Sequence, residues 1–301
     1  MNRFLWLIRR EVWEHRAIWV APAVVLGCVI LLILTGHVHI KPFSADEMKD
    51  VVLSPDQKVT VLMYAYSALS LVVFLVMGVI AFFYAIDALY ADRRDRSVLF
   101  WKSLPLSDAE TVLSKFAVAI LVIPLVALAA TVATQLLIAT GESLKFVIAG
   151  EPAAFLWEPK ALLGGMGVAA LWCVTAMIWY APFVGYLMLA SAWAPRSPFL
   201  WAVLPPVALW ILEAVVMRST YVGDFIKDRL FVLPYILRMQ GDPFGRETGA
   251  AADKIDRLTS IDLYGVLGHF YRTPDFWLGL VAAALLLAAA MWVRRYRDET
   301  A

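Results

Sequence analysis

The sequence has little charge and few cysteines, and each shortage excludes a class of protein. Charged residues make up 17% of the 301 residues, whereas soluble domains of this size carry about a quarter. The net charge of +1 argues against a strongly basic nucleic-acid-binding protein. The two cysteines, Cys28 and Cys173, each fall inside an apolar run. We therefore expect small packing residues there and no structural disulfide.

Motifs for nucleotide binding and hydrolysis are also missing from the sequence. It contains no GxxxxGK[ST] phosphate loop, no HExxH zinc helix and no GxSxG nucleophile elbow. The four histidines are scattered, and the pair His37 and His39 has no fixed third ligand nearby in sequence. We therefore expect no catalytic residue, no metal site and no cofactor in this chain.

Long apolar runs take the place of the missing charge. The chain is 62% hydrophobic, and its mean hydropathy is +0.74. A bilayer core about 30 Å thick requires roughly 20 apolar residues in a helix, because lipid offers the backbone no hydrogen-bonding partner. Six segments are long enough: residues 17–36, 62–86, 117–140, 161–192, 199–217 and 276–293. The sequence therefore predicts an all-α integral membrane protein, residues 1–301 forming a single transmembrane domain with six membrane helices.

The distribution of Lys and Arg predicts the orientation of the chain. Six spans place both termini on one side, and the loops of that side carry thirteen Lys and Arg residues against five in the two short loops opposite. Cytoplasmic loops of membrane proteins carry the excess of positive charge. We therefore expect a multi-pass protein of the plasma (bacterial inner) membrane with both termini in the cytoplasm. Residues 218–275 then form a long external segment.

The N-terminal stretch, residues 1–16, is too polar to span. Leu5, Ile8 and Val12 recur at helical spacing, and two tryptophans seven residues apart flank a charged run. This pattern favours an amphipathic helix lying in the membrane interface. The alternative is a charged flank that only orients the first span.

Small residues and prolines indicate how the fourth and fifth spans pack. Ala161, Gly165 and Ala169 follow one another at four-residue steps, a spacing that lets two membrane helices approach closely. We expect Pro182 to kink the long fourth helix and Pro205-Pro206 to bend the fifth.

Three polar residues in or near the spans are candidate contacts in a translocation pathway or between helices: Glu213, Gln135 and Asp87. An ionisable group in lipid is costly unless it is paired or lies in a wet cavity. For Glu213 the alternative is a neighbour pair with Arg218 near the outer interface.

The stretch at residues 90–116, "YADRRDRSVLFWKSLPLSDAETVLSKF", interrupts two apolar runs. We expect the second span to continue as a helix past Tyr90. Pro105 disfavours helix at Leu104, and the Ser107/Glu110 pair forms a capping box that starts a new helix. The sequence thus predicts a short cytoplasmic element, the coupling loop (residues 93–107), bounded by a break and a cap.

The coupling loop resembles that of permease subunits of ATP-binding-cassette (ABC) transporters of the ABC type-2 class. The acidic-basic run is Asp92–Ser97, the hydrophobic patch is Val98–Trp101, and Leu104-Pro105 precedes a Ser107-initiated helix that reaches Lys115. Ser97 stands where glycine often occurs in the family. The resemblance implies that this loop docks on a separate ATPase subunit. It assigns the following residues to that contact: Arg93, Arg94, Asp95, Arg96, Val98, Phe100, Trp101, Leu104 and Pro105.

The resemblance implies a permease subunit of an ABC transporter, of the exporter type, with ATP and Mg²⁺ held by the partner ATPase. It also implies a second permease, identical or homologous. Two other functions remain open from the residues alone. One is a proton-coupled secondary carrier that uses Glu213 or Asp87, and the other is a non-transporting membrane scaffold or sensor.

Overall fold

The computed structural model describes residues 3–36, 54–95, 107–230, 268 and 271–297, and all regular structure in these ranges is helical. We number the α-helices in chain order. They are α1 Arg3–Glu14, α2 Ala17–Leu34, α3 Pro55–Arg94, α4 Asp108–Ala117, α5 Ile123–Ile148, α6 Pro159–Trp179, α7 Ala181–Trp193, α8 Pro198–Leu212, α9 Tyr221–Leu230 and α10 Pro274–Arg297. A π-helical turn (Val118–Val122) joins α4 to α5, a second (Glu213–Met217) extends α8, and a 3₁₀ turn (Ala154–Trp157) precedes α6.

Within the described ranges, six helical segments are long and apolar enough to cross a membrane, which confirms the predicted all-α membrane protein. Two of them, α3 and the continuous segment Asp108–Ile148, are much longer than their apolar cores. α3 has 40 residues, about 60 Å of helix, which is twice the thickness of a bilayer core. Its extra turns begin at a capping box formed by Ser54 and Gln57. Hydropathy located the lipid-crossing part at residues 62–86, but local capping determines where the helix begins.

The predicted fourth span, residues 161–192, is two helices in the structure. α6 ends at Trp179 and α7 begins at Ala181, with Tyr180 between them. Pro182 has no N–H to donate to the preceding turn, and its ring crowds the carbonyl four residues earlier. The proline therefore divides the span into two helices.

Small residues let the helices approach closely. In the fourth span Ala161, Gly165 and Ala169 are all buried. A Cβ added at Gly165 would lie 3.1 Å from Cβ of Tyr66 on α3. This contact agrees with the predicted packing role of the four-residue steps. A similar approach joins α7 to α10, where Gly185 lies against the backbone of Ala283.

α8 lies at the periphery of the bundle. Ala202 is the single buried residue of this helix. Large apolar side chains are exposed around it, among them Leu204, Leu209 and Trp210. The surface of α8 is therefore left to lipid or to another membrane helix.

Candidate functional site

The two helices that flank the coupling loop end and begin at defined residues. α3 continues past Tyr90 to Arg94, as predicted. α4 begins at Asp108 after the capping box: Glu110 N–H donates to Ser107 Oγ over 3.1 Å, and Ser107 N–H donates to Glu110 Oε2 over 2.9 Å. The loop therefore leaves and rejoins the bundle at two fixed helix ends.

Of the residues assigned to the ATPase contact, three lie in the described part of the chain: Arg93, Arg94 and Asp95. The others, Arg96, Val98, Phe100, Trp101, Leu104 and Pro105, lie outside the described residues. Arg94 is exposed and reaches two carboxylates, with Nε 3.0 Å from Asp95 Oδ1 and Nη1 3.7 Å from Asp87 Oδ1. Asp87, a candidate pathway residue, is thus paired at the end of α3.

Arg93 joins α3 to the end of α7. Its Nη2 donates to the carbonyl oxygens of Ser191 and Ala194, where a helix C-terminus favours a cation. Ser191 Oγ in turn accepts from the backbone N–H groups of Leu89 and Tyr90, at 3.0 and 2.9 Å. The assignment of Arg93 to an ATPase contact stays a prediction, since in the described structure its guanidinium contacts α7.

Five charged residues form a cluster beside the loop, which we call the ion cluster: Glu11, Asp92, Asp108, Lys115 and Arg294. Lys115 Nζ lies 2.9 Å from Glu11 Oε1 and 3.4 Å from Asp92 Oδ1. Arg294 Nη1 lies 2.9 Å from Asp92 Oδ2, and its Nε lies 3.2 Å from Asp108 Oδ1. The contacts join α1, α3, α4 and α10 at one end of the bundle.

Four of the five residues of the ion cluster are buried, which makes their pairing important. Glu11, Asp92, Lys115 and Arg294 are each at most 5% exposed. Moving such ions out of water is expensive and is offset only where partners and hydrogen bonds satisfy them. Each cation here lies between two carboxylates, and Glu11 also accepts from Tyr84 Oη over 3.2 Å. Charges of alternating sign thus hold together four helices from separate parts of the sequence.

The ion cluster as a whole is not apparent in the sequence. Asp92 and Arg294 are separated by 202 residues, so no local motif joins them. One signal was available in α1, where Glu11 shares the buried face with Leu7 and Val12. An acid on the apolar face of an amphipathic helix requires a partner.

The remaining two polar candidates have structural partners. Glu213 is buried in the π-helical turn after α8, where its carboxylate accepts from Ser219 Oγ over 2.8 Å and from Val222 N–H over 2.7 Å. In the part of the chain that the structure describes, no ion pair joins Glu213 to Arg218. Gln135 is fully buried, and its Nε2 donates to the carbonyl of Tyr66 over 3.4 Å. The first residue thus holds the start of α9, and the second joins α5 to α3.

At the opposite end of the bundle, α9 bridges the break between α6 and α7. The Arg229 guanidinium lies 4.0 Å from the centroid of the Trp179 ring and donates to the carbonyls of Trp179 and Asp275. Tyr180 Oη donates to the carbonyl of Leu230 over 2.9 Å. These contacts tie α9 to the broken fourth span and to the start of α10.

Comparison with known proteins identifies one region of the chain. Residues 58–156 match the model of a family described as ABC-2 family transporter protein. The matched range runs from α3 to the 3₁₀ turn before α6. It contains the coupling loop and, on the two flanking helices, Asp92, Asp108 and Lys115. No curated protein and no solved structure gave a significant match. The predicted resemblance is thereby confirmed over residues 58–156, where this multi-pass membrane chain is similar to ABC-2 family transporter proteins.

Proposed function

We propose that the chain is the permease subunit of an ABC exporter, and that a separate ATPase subunit energises it by docking on the coupling loop. The observation that carries this proposal is the pairing of Asp92 with Lys115, one on each helix that flanks the loop. Through the same two residues the loop is joined to Glu11 on α1 and Arg294 on α10. A force applied to the loop therefore acts on the bundle.

The ion cluster supports transmission because it resists separation of the helices. Removing one partner of a buried ion pair typically costs about 3–5 kcal/mol. Sliding α4 away from α3 would leave Asp92 and Lys115 without each other in a dry environment. The lower-energy response to a push on the loop is a joint displacement of α3 and α4, together with α1 and α10, which share their charges.

We infer that the end of the bundle with the ion cluster faces the cytoplasm. α1, the end of α3, the start of α4 and the last turns of α10 meet at the ion cluster, so the first and the last described helices meet at one end of the bundle. The excess of Lys and Arg in the loops of that side favours a cytoplasmic location. An ATPase in the cytoplasm can then reach the loop, in a plasma or bacterial inner membrane.

The secondary-carrier alternative requires a carboxylate that exchanges protons during transport. Both oxygens of Glu213 already accept hydrogen bonds at the start of α9, and Asp87 lies opposite Arg94. Hydrogen bonds and the positive end of a helix both stabilise the ionised form of a carboxylate. These contacts favour structural roles and thus support the permease proposal over the carrier.

The proposal is tested by removing the aromatic side chains of the coupling loop. We expect the double variant Phe100→Ala/Trp101→Ala to lose co-purification of the ATPase in mild detergent, or to uncouple its ATP hydrolysis. Trp292→Ala is the matched control, because Trp292 is an exposed aromatic on the last turns of α10. Unchanged co-purification and unchanged coupled ATPase activity in the loop variant would contradict the proposal.

We also propose that a second copy, or a homologous permease, packs against α8. Six membrane helices form half of a transport pathway in this class, and α8 exposes apolar side chains on several faces. Cysteines placed at Leu204 and Leu209, in a Cys28→Ala background, should form disulfides between subunits. A cysteine at Leu285 of α10, equally exposed, serves as the control. If only the control cross-links, or none of the three does, α8 is not an interface between two copies of this chain.

A further inference from the structure

The face of α1 that points away from the ion cluster carries an arginine between two tryptophans. The guanidinium carbon of Arg9 lies 5.5 Å from the ring centroid of Trp6 and 5.7 Å from that of Trp13. Trp6 is 50% exposed and Trp13 is 72% exposed. The two rings therefore hold the arginine by cation–π contacts on an outer surface of the molecule.

This surface is distinct from the face that α1 packs on the bundle. Leu7, Glu11 and Val12 are the buried residues of the helix, and Glu11 points to Lys115. At 100° per residue, positions 6, 9 and 13 lie on the opposite side. The predicted apolar stripe is thereby divided, since Val12 is buried while Leu5 is 61% exposed. α1 thus has an inner face that packs against the helix bundle and an outer face that is exposed.

We expect the outer face to lie at the depth of the lipid headgroups. Only His15 and Arg16 separate α1 from α2, which is a membrane-crossing helix. A helix that ends where a span begins lies at the boundary between hydrocarbon and water. Tryptophan is enriched at that depth because its ring is apolar and its N–H is polar.

The charge of the outer face selects the kind of lipid. In the ranges that the structure describes, Arg9 forms no ion pair with a carboxylate, and the nearby acid Glu14 already accepts from Arg10 Nε over 3.1 Å. Arg16 adds a second exposed cation. A guanidinium stacked on rings keeps its N–H edge free, and that planar edge matches the oxygens of a phosphate. A zwitterionic headgroup would bring its own cation to this surface.

We propose that Trp6, Arg9 and Trp13 form a binding site for the phosphate of an anionic lipid headgroup in the leaflet that faces this end of the bundle. The bound lipid holds α1 from outside while Lys115 holds Glu11 from inside. Anionic lipid therefore stabilises the position of α1 against α4, next to the coupling loop. This site requires neither an ATPase nor a known cargo, so it is tested apart from the proposed function.

The test measures which lipids the full-length chain retains. The protein is purified into micelles that contain equal amounts of phosphatidylglycerol and phosphatidylcholine, and bound lipids are counted by native mass spectrometry. We expect wild type to retain phosphatidylglycerol preferentially. Arg9→Gln should reduce that preference about tenfold, the size of one lost charge-assisted hydrogen bond. Arg295→Gln, whose guanidinium carbon lies 5.7 Å from the centroid of the Tyr296 ring at the same end, should leave it unchanged.

Any one of the following results would overturn the proposal. The first is an unchanged phosphatidylglycerol preference in Arg9→Gln, and the second is an equal loss in the Arg295→Gln control. The third is a cross-link to the ATPase, and not to lipid, from a photoreactive residue at position 13. Release of the lipid by millimolar inorganic phosphate would likewise indicate a free-anion site. Should Arg9→Gln aggregate, Arg9→Lys keeps the charge but loses the planar stack, and an undiminished preference there also contradicts the proposal.

Discussion

Asp92 and Arg294 are 202 residues apart in the sequence, yet Asp92 Oδ2 accepts a hydrogen bond from Arg294 Nη1 over 2.9 Å. The contact joins the last turn of α3 to the last turns of α10. Asp92 also pairs with Lys115 on α4. Both helices that flank the coupling loop are therefore linked by ion pairs to each other and to α10. The loop is thus anchored to the bundle on both of its sides.

The Asp92–Arg294 pair should show strong energetic coupling. Each single change, Asp92→Asn or Arg294→Gln, removes one of the two opposite charges from a buried partner and should lower the free energy of unfolding by up to about 3–5 kcal/mol. The double variant should lose less than the sum of the two, with a coupling of about 1–3 kcal/mol. Thermal unfolding of the purified chain in detergent measures all four forms.

The control for this cycle is Arg295→Gln, since Arg295 is exposed beside the same helix end. An exposed substitution of this kind should change stability by less than about 0.5 kcal/mol. Additive effects of the Asp92 and Arg294 changes would show that the two side chains do not interact, and would remove the basis for transmission through the ion cluster.

The close contact between α6 and α3 depends on the absence of a Cβ atom at Gly165. A Cβ at Gly165 would lie 3.1 Å from Cβ of Tyr66, an atom close to the backbone that has little freedom to move. Gly165→Ala should therefore destabilise the protein by about 1–3 kcal/mol through overpacking. Gly78→Ala on α3 is the matched control, because a Cβ there meets no atom within 4 Å. Equal melting temperatures for the two variants would refute the close approach.

The start of α9 depends on the carboxylate of Glu213. Glu213→Ala removes the acceptor for Val222 N–H and Ser219 Oγ, and the loss of such a cap costs about 0.5–2 kcal/mol. We expect amides of α9 to exchange with deuterium up to about tenfold faster in this variant, and Glu213→Gln, which keeps one acceptor oxygen, to show a smaller effect. Unaltered exchange of α9 in Glu213→Ala would mean that this carboxylate does not hold the helix.

The elements that could be predicted from the sequence are those with local causes. The helix start at Asp108 depends on Ser107 and Glu110, three residues apart, and the structure forms that capping box. The break of the fourth span at Tyr180 follows from Pro182, two residues later. Apolar length alone located the membrane helices, because a bilayer imposes a minimum number of residues.

The elements that could not be predicted depend on contacts between distant segments. The sequence predicts a helix that reaches Lys115. The partner of Lys115, Glu11, lies in the N-terminal segment that the sequence predicts at the membrane interface. The contact of Arg229 on α9 with Trp179 on α6 joins two residues that are 50 positions apart in the sequence. Pairing of this kind is decided by how helices assemble, and a single sequence contains no record of it.

The most direct measurement of the central claim is a cross-link from the coupling loop. A photoreactive benzoylphenylalanine placed at position 101 of the full-length chain is activated in intact cells, and the covalent product is identified by mass spectrometry. The account predicts a partner whose sequence contains an ATP-binding cassette, and no such partner from the same probe at position 292 on α10. A product at position 101 that contains lipid or another protein, with no ATPase, would contradict it.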